Sequence, residues 1–105
     1  MATDPKAVIE ELLRKALHEK APQSADMPIV IERPKQASHG DFSSSVALQA
    51  AKPAKTNPRD LALALQASVA AQISASAYLS DVLEKPEVAG PGFINFKLKT
   101  SAKTG

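Results

Sequence analysis

Hydrophobic residues recur every three to four positions in two long stretches of the chain, which is the spacing of one face of an α-helix. Asp4 before Pro5 and Asn57 before Pro58 predict where these helices begin. Asp and Asn accept from the free N–H groups of a first turn, and proline lacks an N–H that would be unused there. The expected buried stripes are Val8, Ile9, Leu12, Leu13, Ala16 and Leu17 in the first helix, and Leu61, Leu65, Val69 and Ile73 in the second.

A third, shorter helix is expected between these two. It would run from about Asp41 to Lys52, with Asp41 or one of the three serines that follow Phe42 as its cap. Pro53 is expected to end it, because the residue before a proline avoids the helical region. Residues 74–80 are small and polar around an aromatic, and we expect a helix end followed by a loop.

Alternating apolar and polar positions predict three strands. The first covers residues 29–33; the other two, residues 82–89 and the stretch after Gly90-Pro91-Gly92, would pair as a hairpin. Pro86 cannot donate to a ladder, so its strand should lie at an edge or contain a bulge. The sequence therefore predicts an α+β domain over residues 1–99, in which three to four helices pack on a small, mainly antiparallel sheet in the order αβααββ. Residues 100–105 are expected to be a frayed tail.

Composition narrows the possible functions. The 105 residues are 44% hydrophobic and 23% charged, which fits one folded domain with a modest core. The formal charge of +2 indicates nucleic acid only if the cations cluster, and the absence of cysteine excludes disulfides and thiolate metal sites. No run approaches the ~20 apolar residues of a membrane helix, and the start does not resemble a signal peptide. We expect a soluble, cytoplasmic monomer.

Catalytic and metal sites are not expected. The only histidines, His18 and His39, lie in different elements without a partner at metal-ligand spacing. A triad of His39 with the serines would also need an orienting acid and an oxyanion hole. We interpret His39 as mostly structural.

The strand after Gly90-Pro91-Gly92 carries an unusual outward face. Ile94, Phe96 and Leu98 form the apolar face, so the opposite face carries Phe93, Asn95, Lys97 and Lys99. A ring can stack on an unpaired RNA base, an amide can read its edge, and ammonium groups can bind phosphate. The alternative is an ordinary solvated strand face on which Phe93 packs against a loop.

Three more cations, Lys52, Lys55 and Arg59, cluster where the second and third helices meet. Together with Lys97 and Lys99 they are candidates for phosphate contacts, which position an RNA while base contacts specify it. The alternative for each is ordinary surface charge.

Several of these segments resemble one family in order and spacing. They are Val-Ala-Gly-Pro-Gly-Phe-Ile-Asn-Phe at residues 88–96, His-Gly-Asp-Phe at 39–42 with the small-residue helix after it, Ile-Glu-Arg-Pro at 31–34 and Asn-Pro-Arg at 57–59. Together they resemble the N-terminal additional domain of bacterial-type arginyl-tRNA synthetases. The resemblance covers essentially the whole chain.

The resemblance implies a domain that precedes a class I catalytic domain and contacts the outer corner of the tRNA for arginine, where it helps read a D-loop adenine. Phe93 would stack on that base and Asn95 would hydrogen-bond its edge. ATP and magnesium would be used by the catalytic domain, and no cofactor is expected in these residues. The chain departs from the family at Ser43, Ser44 and Ser45, where Asn is usual, so no base contact is assigned to the serines. The remaining alternative is a module that packs on its own catalytic domain without touching RNA.

Overall fold

The computed structural model describes residues 5–33 and 40–99, and within them it is an α+β fold. Its elements are α1 (Pro5–Lys20), a 3₁₀ turn (Pro22–Ser24), β1 (Ile31–Glu32), β2 (Phe42–Ser44), α2 (Val46–Ala54), α3 (Pro58–Ser74), α4 (Ala77–Val82), β3 (Glu87–Ala89) and β4 (Phe93–Phe96). The predicted class and the order αβααββ are confirmed, with β2 and α4 as additional short elements. The predicted cap at Asp4, His39 and the predicted tail at 100–105 lie outside the described residues.

The core lies between the helices and one face of the sheet. α3 packs against both α1 and α2, and its predicted stripe of Leu61, Leu65, Val69 and Ile73 is buried. All six predicted core positions of α1 are buried as well. Each such side chain contributes roughly 1.5–3 kcal/mol when fully buried. The described residues contain no helix long and apolar enough to cross a membrane.

The four strands form one antiparallel sheet in the order β1-β2-β4-β3. The predicted hairpin is present as β3 and β4, and β3 is an edge strand, as expected. Pro86 itself is buried just before β3, and its carbonyl accepts from Gln66 Nε2 at 2.8 Å. β3 is shorter than predicted because residues 77–82 are helical and Leu83 forms only an isolated bridge with Leu98. β1 is also shorter, covering two of the five predicted residues.

The prediction that Asp41 begins a helix is wrong, because Phe42–Ser44 is a strand in the middle of the sheet. The helix begins after Ser45, one of the three predicted serines, although the Ser45 side chain makes no hydrogen bond to the first turn. The Asp41 carboxylate instead accepts from the Leu98 N–H at 2.8 Å, beyond the end of β4. Phe42 is buried, as expected. Gly40 enters this strand at φ +90°, and a Cβ there would lie 2.6 Å from the Phe96 carbonyl oxygen. Only glycine fits both the dihedral angle and the close approach.

Two helix ends also differ from prediction. α2 continues through Pro53 and ends at Ala54, followed by Lys55 as its C-cap at φ 54°. Proline is tolerated there because the last turn is closed by N–H groups that follow it, from Lys55 to the Lys52 carbonyl and from Thr56 to the Ala51 carbonyl. Residues 74–80 contain the start of α4, for which the Ser76 hydroxyl accepts from the Leu79 N–H.

Candidate functional site

The outer face of the sheet carries a row of polar side chains that crosses all four strands. The register pairs Ser43 with Glu32 on one side and with Asn95 on the other, and pairs Asn95 with Glu87. Directly opposed residues in an antiparallel sheet project to the same face. The row therefore reads Glu32, Ser43, Asn95, Glu87. Phe93, opposite Ala89, lies on the same face two residues nearer the hairpin turn.

The alternation predicted for β4 is confirmed. Ile94 and Phe96 are fully buried and Leu98 is partly buried. On the outer face, Phe93 is 38% exposed and Asn95 is half-buried. Both side chains are therefore within reach of a ligand that approaches the sheet from solvent.

Phe93 and Asn95 line one concavity of about 370 Å³ at the turn end of the sheet. This volume falls within the range of small-ligand sites. Its wall combines an aromatic ring, an amide, a hydroxyl and a carboxylate with the backbone of the hairpin turn. The lining residues are Glu32, Ser43, Ala89, Gly90, Pro91, Phe93 and Asn95.

The hairpin turn that forms one wall is held against the start of α3. A Cβ on Gly92 would lie 3.1 Å from Pro58 Cβ and 3.2 Å from Leu48 Cδ2, so the turn packs closely because residue 92 has no side chain. Arg59 Nη1 donates to the Gly90 carbonyl at 3.3 Å. The first turn of α3 is itself fixed by Asn57, whose side-chain oxygen accepts from the N–H groups of Arg59 and Asp60.

The five candidate phosphate-binding residues fall into two groups. Arg59 contacts the hairpin turn, and Lys52 and Lys55 lie at the end of α2, one and two turns beyond the Leu48 contact. Lys97 and Lys99 follow β4 at its other end, about 13 Å or more along the strand from Phe93. Lys99 lines a different hollow, beside Ser80 and Lys85. Arg59 thus contacts the turn that forms part of the wall around Phe93, and Lys99 lies apart from it.

Glu32 and Ser43 are wall residues that the sequence did not assign to the site. Glu32 occupies a polar position in a predicted strand, which was the available signal. Its neighbour across the sheet, Ser43, was predicted to lie at a helix start, so the pairing that brings both beside Asn95 could not be derived. Among the described residues, no cluster of three His, Cys, Asp or Glu side chains is arranged to hold a metal ion.

Comparison with known proteins agrees with the resemblance noted in the sequence. The family model for the arginyl tRNA synthetase N terminal domain matches residues 7–98. Among curated relatives, the arginine–tRNA ligase of Azoarcus sp. (strain BH72) is 52% identical over 104 residues, covering 99% of this chain and 16% of the relative. The ligase of Aromatoleum aromaticum is 48% identical over 104 residues, again covering 99% of this chain and 16% of the relative. That of Nitrosospira multiformis is 46% identical over 100 residues, covering 95% of this chain and 16% of the relative.

The chain spans about 16% of the length of these relatives, so it matches one domain of proteins several-fold longer. The matched range includes the hairpin turn and the strand that carries Phe93 and Asn95. The chain belongs to the family of arginyl-tRNA synthetase N-terminal domains.

Proposed function

We propose that this domain binds the outer corner of the tRNA for arginine and reads a D-loop adenine, with Phe93 stacking on the base and Asn95 hydrogen-bonding its edge. The observation that supports the proposal is the joint exposure of Phe93 and Asn95 in one concavity on the outer face of the sheet. A ring and an amide on one face are the means by which sheets bind unpaired RNA bases.

The surroundings of Phe93 suit a stacking role. A Cβ on Gly90 would lie 3.5 Å from Phe93 Cδ2, so one edge of the ring rests against the hairpin turn while more than a third of the side chain stays open. The hairpin turn itself packs against the start of α3. A ring supported in this way offers a base a surface of fixed orientation, which lowers the entropy lost on binding.

Phosphate contacts would come from the cations beside the hairpin turn. Arg59 uses one N–H on the Gly90 carbonyl and has four other N–H donors. Lys52 and Lys55 are exposed at the end of α2, the helix whose Leu48 lies against the hairpin turn. Lys97 and Lys99 would serve a phosphate on the far side of the base, and for them the contact stays a prediction.

The role in the ligase follows from the relatives. We propose that the longer protein attaches arginine to its tRNA with ATP and magnesium in a separate catalytic domain, in the cytoplasm, where tRNA is used. In the alternative function, the hairpin turn and Phe93 dock on that catalytic domain and RNA is not touched. The exposure of Phe93 and Asn95 is what the first function requires. In the alternative the same surface would be covered by the catalytic domain, so binding of tRNA separates the two functions.

The test is a titration of the isotopically labelled chain with an arginine tRNA at low ionic strength, followed through backbone amide shifts. We expect shifts centred on residues 92–97 that weaken when the D-loop adenine is replaced. Phe93→Leu keeps an apolar side chain but no aromatic face, and should weaken binding by about 2 kcal/mol, or roughly 30-fold. Phe93→Tyr, which retains a ring, is the matched control.

Two outcomes would contradict the proposal. Shifts confined to lysines and indifferent to the base would indicate phosphate contact without base reading. Absence of shifts at concentrations where a weak complex forms would favour the packing module.

A further inference from the structure

Glu32 is the feature of the concavity that a generic RNA-binding face does not explain. A carboxylate repels phosphate, yet Glu32 lies in the wall of the same hollow as Phe93 and Asn95. The residue is exposed, and within the described residues its carboxylate makes no hydrogen bond or ion pair with another side chain. The ionised side chain can only accept hydrogen bonds, so a ligand that displaces water from it has to offer a donor.

The sheet register gives the spacing between Glu32 and Asn95, and so the size of the group that could contact both. Glu32 and Asn95 flank Ser43 on either side in the same cross-strand row, each one strand spacing from it. Neighbouring strands are about 4.8 Å apart, so the Cα atoms of Glu32 and Asn95 are separated by roughly 10 Å. A planar group held against Phe93 can therefore meet both side chains through one edge.

We propose that Glu32 is a specificity-determining residue, whose carboxylate accepts a hydrogen bond from the exocyclic amino group of the base that Phe93 and Asn95 hold. This inference rests on the proposed function of the face. An adenine amino group has two hydrogens, so Asn95 accepts one and Glu32 the other. A base with a carbonyl at that place, such as guanine or uracil, sets an oxygen against the carboxylate and is rejected.

This arrangement has a consequence that a structural role for Glu32 lacks. Removal of the carboxylate weakens binding of the correct base through the lost hydrogen bond. At the same time it strengthens binding of wrong bases, because the repulsion of carbonyl oxygens and of the RNA backbone is gone. Specificity and general affinity thus change in opposite directions.

The chain supplies a matched control in Glu87. It is also exposed and also lies in the row beside Asn95, but on the β3 side and outside the concavity wall. Glu87→Ala removes the same charge from the same face of the sheet, one strand spacing from Asn95 instead of two. It should raise affinity for every tRNA alike and leave the ratio between them unchanged.

The experiment measures dissociation constants of the wild type, Glu32→Ala, Glu32→Gln and Glu87→Ala. The probes are three arginine tRNAs carrying adenine, guanine or unsubstituted purine at the D-loop position; purine lacks the amino group. For Glu32→Ala we expect the preference for adenine over purine to fall about tenfold, the worth of one hydrogen bond to a charged group. Affinity for the guanine tRNA should rise. Glu32→Gln retains an acceptor and should lose only part of the preference.

The outcomes separate this inference from the proposed function. If the wild type does not distinguish the three tRNAs, both base reading and the role of Glu32 are overturned. If the wild type prefers adenine and Phe93→Leu weakens binding, but Glu32→Ala keeps the full preference, the inference about Glu32 alone is overturned. Equal changes in the adenine preference for Glu32→Ala and Glu87→Ala would also overturn it, since only general charge would then matter.

Discussion

The serine run at residues 43–45 supports a sharp prediction, because its members have different surroundings. Ser44 is buried, and its Oγ donates to the Val30 carbonyl at 2.6 Å and accepts from the Val46 N–H at 3.2 Å. It thus links the segment before β1 to the first turn of α2. The Ser45 hydroxyl makes no such bond to the helix.

Ser44→Ala should lower the free energy of unfolding by about 2 kcal/mol. Each of the two hydrogen bonds contributes about 1 kcal/mol, and the buried Val46 N–H and the Val30 carbonyl are left without this partner. The figure also agrees with the usual loss of a side chain that caps a helix. For a domain of this size it corresponds to a decrease in Tm of roughly 10 °C.

Urea and thermal unfolding, followed by far-ultraviolet circular dichroism, measure this change. Ser45→Ala removes the same hydroxyl one residue later and should stay within about 0.5 kcal/mol of the wild type. The urea dependence should keep its slope, so that the change reports stability and not a different unfolded state. A Ser44→Ala variant as stable as the wild type, or a Ser45→Ala variant that loses as much, would refute the assigned bonding.

Three further predictions concern the entry to β2, the cap of α3 and the cations. Gly40→Ala should lower the free energy of unfolding, measured by thermal denaturation, by more than about 2 kcal/mol, because φ +90° is strained for alanine and its Cβ would collide with the Phe96 carbonyl. A decrease of less than about 0.5 kcal/mol would contradict this geometry. Asn57→Ala should lower the free energy of unfolding in urea by about 1 kcal/mol. Asn57→Asp should lower it much less, because aspartate can still cap α3. Arg59→Ala should reduce the salt dependence of tRNA binding by about one phosphate contact, and Lys15→Ala, on the exposed side of α1, should not; equal effects would argue against a phosphate path along the hairpin turn.

The features that could be predicted from the sequence have local causes. The buried residues of α3 recur every four positions after the capping Asn57. The two strands of the hairpin are joined by a turn that requires glycine. Such signals depend on neighbours in sequence. The end of α2 was predicted wrongly, because Pro53 on its own indicates that the helix stops before it. The hydrogen bonds that close the last turn come from the N–H groups of Lys55 and Thr56, and they depend on Lys55 adopting φ 54°.

Strand β2 could not be predicted, because its residues have no strand signal of their own. Phe-Ser-Ser carries a single apolar side chain, and Asp with serines is also typical of a helix start. The segment is a strand because it is held on both sides, by β1 and by β4, and because Gly40 lets it approach the Phe96 carbonyl. These are long-range contacts, and pairing of this kind outweighs local preference.

The same distinction separates the parts of the candidate site. Phe93 and Asn95 follow from alternation within one strand, so their shared outward face needs no knowledge of the sheet. Glu32 lies 61 positions before Phe93, and the two meet in one concavity only because β2 lies between β1 and β4. The sequence therefore predicts the residues that would hold a base, whereas the residue proposed to select it becomes visible only once the strand order is known.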